Sequence, residues 1–157
     1  MPNWCHDTLI VTGDPIEVAG YVEHVKDDEQ PLTFSVCAPL DDEVDGVAQW
    51  STKWDASFSG GSMIQIGTEE SDPELTMSAR GVQLADGVAI YKFDTAWSPP
   101  VNWLAITSRK HPGLSFTLRY GEAGNGIAGE VMFEKGDLVA DRELPIDEVL
   151  APEEMWF

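Results

Sequence analysis

The stretch Val88-Ala89-Ile90-Tyr91-Lys92-Phe93-Asp94-Thr95-Ala96-Trp97-Ser98-Pro99-Pro100 constrains this chain more than any other. β-Branched and aromatic residues in near alternation, through Val88, Ile90, Tyr91 and Phe93, suit a half-buried strand. Ser98 is a favourable N-cap, and Pro99 at the first helical position lacks only an N–H that has no partner there. Val101, Leu104, Ala105 and Ser108 then recur at helical spacing, and Trp103 and Ile106 widen the stripe. One strand therefore passes directly into one helix, and that helix needs a sheet to cover its apolar face.

The rest of the chain supplies the sheet. Trp4 to Val11 reads as a strand, with Leu9 and Val11 on one face and Thr8, Ile10 and Thr12 on the other. Gly13 ends it, and Asp14-Pro15-Ile16-Glu17 has the form of a capping box in which Glu17 reaches back to the cap. Val18, Tyr21, Val22 and Val25 mark the buried face of the helix that follows. Leu32, Phe34 and Val36 alternate as a second strand, Met63 to Ile66 suggests a further one, and Leu75 to Leu84 fits strand or loop. Leu114 to Tyr120 alternates cleanly; glycines 121, 124, 126 and 129 turn it into Ile127 to Phe133, and Lys135-Gly136 turns into Leu138 to Ala140. Strand, helix, strand, repeated once and followed by a hairpin, is a split β-α-β arrangement of the α+β class, an antiparallel sheet with two helices on one face.

At 157 residues and 43% apolar composition the chain is expected to form a single domain over 1–157. Within it, about 41–87 reads as an irregular acidic insertion and 141–157 as an acidic tail. From Asp41 to Glu74 there are nine acids, and Lys53 is the one base. The net charge of −19, from 28 acids against nine Lys and Arg, argues against direct binding of nucleic acid or an anionic membrane, since both need cationic surface. A partner with a basic surface is the remaining electrostatic option, and solubility alone is the bland one. The opening Met1 to Asp7 lacks the basic and apolar regions of a signal peptide, so a cytoplasmic location is expected. Cys5 and Cys37 fall in strand-like stretches and are read as reduced, buried thiols.

No residue pattern demands a reaction, a cofactor or a metal. His6 and Asp7 lie on opposite faces of a strand, His24 sits on an acidic helix, His111 precedes Pro112 in a turn, and no HxxxH, HxH or CxxC spacing occurs. The glycines of Gly121-Glu122-Ala123-Gly124-Asn125-Gly126 join two strands, so they lack the helix dipole that a phosphate loop uses. Two surfaces remain as candidates. Trp4, Trp97 and Tyr120 fall at strand ends that could converge on one rim, with Lys53, Trp54, Asp55 and Glu122 as neighbours in sequence; such a rim binds a ring or a base, or else the tryptophans simply fill a junction. The acidic clusters Asp41-Asp42-Glu43, Glu69-Glu70 and Asp147-Glu148 form the other, while the stretch between Asp94 and Glu122 holds no acid but carries Arg109, Lys110 and Arg119.

Met1-Pro2-Asn3-Trp4-Cys5, Thr52-Lys53-Trp54-Asp55-Ala56, Thr95-Ala96-Trp97-Ser98-Pro99-Pro100 and Tyr120-Gly121-Glu122-Ala123-Gly124 with Ala128-Gly129-Glu130 occur in the order that resembles the Api92-like proteins with a ferredoxin-like domain. The resemblance spans nearly the whole chain and departs at Asp7, where that family more often has Asn. It implies a ferredoxin-like fold without an iron–sulfur cluster and a home in phages or other mobile elements; it implies no activity. The expectation is a non-catalytic, acidic accessory protein that binds a basic host protein in the host cytoplasm, by mimicry of DNA charge. The alternatives are a small-ligand or nucleotide binder built on the Trp rim, an enzyme included, and a structural homo-oligomer.

Overall fold

A computed structural model describes residues 3–26, 32–39, 46, 50–52, 55–56, 64–66, 76–77 and 87–150. Seven strands form one antiparallel sheet: β1 (Trp4–Thr12), β2 (Ile64–Ile66), β3 (Thr76–Met77), β4 (Val88–Ala96), β5 (Ser115–Glu122), β6 (Ile127–Glu134) and β7 (Asp137–Glu143). Their spatial order is β3-β2-β4-β1-β5-β6-β7. The helices include α1 (Pro15–Val25), the single turn α2 (Phe34–Cys37), α3 (Val101–Lys110) and the single turn α4 (Ile146–Val149).

The pairing explains the order. β4 and β5 both run antiparallel to β1 and flank it, so the β4-α3-β5 crossover joins parallel strands with β1 inserted between them. β2 is antiparallel to β4 in the same way, so β1, α1 and β2 form the second split β-α-β unit around β4. These interlocked units make the ferredoxin-like core. β3 extends it at one edge, and β6 and β7 at the other.

The inward faces of the long strands carry Leu9, Val11, Tyr91, Phe93, Phe116, Leu118, Val131 and Phe133, all buried. Against them α1 sets Val18, Tyr21, Val22 and Val25, and α3 sets Trp103, Leu104, Thr107 and Ser108. The Tyr21 ring meets Phe116 edge-on at 5.3 Å, and its hydroxyl lies 3.2 Å from Thr107 Oγ1, which joins α1 to α3 over the sheet. Phe34 packs against Trp103 at 4.6 Å and Trp50 at 5.5 Å, each aromatic pair adding about 1 kcal/mol beyond its buried area.

Three expectations are corrected. Residues 32–36 form no strand: Phe34–Cys37 is a helical turn, which also takes Cys37 out of any strand. Asp55 accepts from Phe34 N at 2.7 Å and from Ser35 Oγ at 3.0 Å, so a carboxylate distant in sequence caps the turn and overrides the local alternation. The second strand of the first unit is instead Ile64–Ile66, inside the stretch read as an insertion. Finally, α3 begins at Val101, not Pro99; Ser98 Oγ donates to the Ser51 carbonyl, and Ser51 Oγ accepts from Asn102 N at 3.1 Å, acting as the cap. The α1 start stands as read, with Asp14 Oδ1 accepting from Ile16 N and Pro15 at the first position, although the Glu17 carboxylate lies against Gly113.

Candidate functional site

Trp4, Trp97, Tyr120 and Glu122 do gather at one end of the sheet. Trp4 pairs with Ala96, Trp97 N donates to Asn3 O at 2.8 Å, and β5 ends at Glu122 beside them. They do not share a face. Tyr120 pairs with Asp7 on the helix side, whereas Trp4 belongs to the opposite side with His6 and Thr8. Tyr120 Oη lies where a Cβ on Gly129 would sit, 2.5 Å from that position, so the tyrosine packs over bare backbone. Trp97 is 46% exposed and holds a φ of 72°, a left-handed conformation unusual for a bulky residue. Glu122 is buried and occupied locally: its carboxylate accepts from Asn125 N at 3.1 Å and Asn125 Nδ2 at 2.6 Å, closing the β5–β6 turn. Asp55 is occupied as the α2 cap. Lys53 and Trp54, like Asp41, Asp42, Glu43, Glu69 and Glu70, lie outside the described residues.

Beneath this rim is a buried polar chain that strand alternation alone did not single out. Asp7 and Thr95 point inward from β1 and β4; Thr95 Oγ1 lies 2.6 Å from Asp7 Oδ2 and 2.8 Å from Ser98 O, and Cys5 Sγ donates to Asp7 Oδ1 at 3.8 Å. A hydroxyl has one proton and cannot give it to both oxygens. With Asp7 protonated, its O–H donates to Thr95 and Thr95 donates to the Ser98 carbonyl, which satisfies every group. Burial pushes the Asp7 carboxyl well above its ordinary value, consistent with that neutral form. Burial also pushes the Cys5 thiol up. Cys5 is thus a poor thiolate nucleophile, and the chain ties the turn at Trp97 to the sheet.

The acidic residues that are described concentrate at the other sheet edge. All seven residues of β7 are exposed, among them Asp137, Asp141 and Glu143, together with Leu138 at 51% and Val139 at 52%. Asp147 and Glu148 are exposed on α4. The following Leu150 is buried on the sheet face away from α1 and α3, its Cγ 2.8 Å from where a Gly121 Cβ would be. Where α3 ends, the structure brings together three residues read as unrelated: His24, Cys37 and His111, whose ligand atoms all lie within 4.8 Å of one another. Burial, then His24, pull the His111 pKa down, which leaves its imidazole neutral at neutral pH. Sequence spacing could not reveal this group, because its members sit on three separate elements.

No helix among the described residues is long and apolar enough to cross a membrane. A family model described as the ferredoxin-like domain in Api92-like protein matches residues 79–149, the span that holds β4, α3, β5, β6, β7 and α4. A crystal structure of a protein Api92 from Yersinia pseudotuberculosis is similar at 18% identity and a TM-score of 0.45, over 62% of this chain and 28% of that one. This chain thus spans under a third of the solved chain it matches. No curated protein matches in sequence.

Proposed function

We propose that this protein works by binding rather than catalysis, engaging through its acidic surface a protein partner with a basic surface, and that the β7 edge is where the partner docks. The supporting observation is β7 itself. It is the edge strand of the sheet, exposed at every position, so one side of its backbone has no strand neighbour among the described residues. An extended segment adds to such an edge by main-chain hydrogen bonds, and its side chains set specificity. Here Asp141 and Glu143 select Lys or Arg, and Leu138 and Val139 select an apolar residue. Carboxylates two residues apart on a strand sit about 6.7 Å apart, near two steps of about 3.4 Å along one DNA strand, which suits a nucleic-acid-binding host protein. Pairing of β7 with β7 of a second copy sets like charges against each other, which disfavours self-association there. The phage or mobile-element setting rests on the resemblance of the motifs.

The test uses an extended peptide of alternating Lys and Val, and a peptide of equal charge in which Pro replaces Val. The first is expected to bind with salt-sensitive affinity and to slow amide exchange across β7. Asp141→Asn with Glu143→Gln is expected to weaken it roughly tenfold, each pair being worth up to about 1 kcal/mol. Equal binding of both peptides with unchanged β7 exchange would reject the edge as the site.

Trp97 supports a second reading, a ligand ring stacked on the rim. Its exposure and left-handed backbone combine two features that cluster at binding sites. Quenching of tryptophan emission by a nucleoside monophosphate, abolished in Trp97→Gly, is the expected sign; no quenching in the parent protein removes this reading.

A further inference from the structure

We infer that His24, Cys37 and His111 form a binding site for a borderline-soft divalent transition metal, zinc foremost. His24 lies in the last turn of α1, Cys37 is the last residue of α2, and His111 directly follows α3. Three helical segments thus end at one point, and the negative ends of α1 and α3 favour a cation there. The two imidazoles approach to 5.4 Å between ring centroids, and Tyr21 braces His111 edge-on at 4.9 Å. His111 Nε2 is buried and makes no hydrogen bond among the described residues, an expensive state for a ring nitrogen unless something binds it. Thr107 Oγ1 donates to Cys37 Sγ at 3.3 Å, the second-layer contact that orients a thiolate ligand. Lys110 Nζ donates to the Cys37 carbonyl, which places that competing cation on the peptide oxygen.

Two nitrogens and one sulfur decide the metal. Magnesium and calcium require oxygen ligands, whereas zinc and its neighbours accept imidazole and thiolate. Zinc bonds of about 2.0–2.1 Å to nitrogen and about 2.3 Å to sulfur place tetrahedral ligands about 3.3–3.7 Å apart. The present separations, within 4.8 Å, close to that by about an ångström, and exposed His24 has the rotamer freedom to close them. On binding, the Cys37 S–H bond breaks, its proton leaves to water and the sulfur–metal bond forms. Three protein ligands leave the fourth tetrahedral position to water or a further ligand. A metal here would clamp α1, α2 and α3 together.

Titration of the full chain with Co2+, under reducing conditions and excess Mg2+, separates this site from diffuse binding to the many carboxylates. One equivalent is expected to give the intense visible bands of four-coordinate cobalt and a near-ultraviolet thiolate charge-transfer band, both removed by stoichiometric Zn2+. His24→Ala, at an exposed position that leaves the core untouched, is expected to weaken binding by roughly a hundredfold. Cys37→Ser is expected to remove the charge-transfer band. A weak six-coordinate spectrum without that band, or one unchanged in His24→Ala, would overturn the proposal.

Discussion

Asp7 carries the most informative single-residue behaviour. It is buried in β1, where its hydrogen-bond partners among the described residues are Thr95 and Cys5, and burial raises its pKa. An unfolded Asp titrates near about 3.9. Above that pH the unfolded chain loses the proton while the native protein keeps it, so the stability Asp7 supplies is fully present below the unfolded pKa and is lost as pH rises through the folded one. Asp7→Asn keeps a donor for Thr95 and cannot ionise. Chemical denaturation from pH 4 to 8 should therefore show the variant gaining stability over the parent as pH rises; parallel curves would mean Asp7 is ionised in the native state. That Asp7 faces inward was legible from the alternation around Leu9 and Val11. Its partner Thr95 was not, because β1–β4 register is set by pairing between distant residues.

At the scale of elements, caps borrowed across the fold explain where local reading succeeded and failed. α1 carries its own cap in Asp14, and its start was legible. α2 and α3 borrow theirs from Asp55 and Ser51, and neither start was. Ser51 also holds a φ of 69°, so its two roles can be separated. Ser51→Ala loses the cap and keeps the strained backbone, an expected loss of about 1 kcal/mol. Ser51→Gly loses the same cap but relaxes the backbone, and should stay within a few tenths of a kcal/mol of the parent. Thermal melts of both variants decide; no loss in Ser51→Ala would show that Ser51 does not cap α3, and equal losses in both would show that its backbone carries no strain.

For the whole molecule, the −19 charge is the dominant long-range quantity. Among the described residues the ion pairs are few and surface-bound, such as Arg119 and Arg142 on Glu130 at 3.1 Å, and contribute little. Repulsion among acids therefore outweighs attraction, and screening it should stabilise the fold. Shortening the Debye length from about 30 Å at 0.01 M salt to about 3 Å at 1 M should raise Tm, each 1 kcal/mol regained being worth about 2–4 °C at this size. A Tm that falls with salt would mean the acids are compensated locally. The same salt series weakens docking of a basic partner at β7, so stability and binding should move in opposite directions.

Hydrophobic periodicity by itself determined the α+β class, the long strands β1, β4, β5 and β6, and the buried faces of α1 and α3, because those elements draw their stability from their own alternation of apolar and polar side chains. Tertiary structure decided the rest. It chose 64–66 over 32–36 as the second strand, since Asp55 offered the latter's backbone a better partner than a sheet did. It also separated Trp4 from Tyr120 and joined His24, Cys37 and His111, contacts that depend on how distant segments cross and that no local spacing encodes.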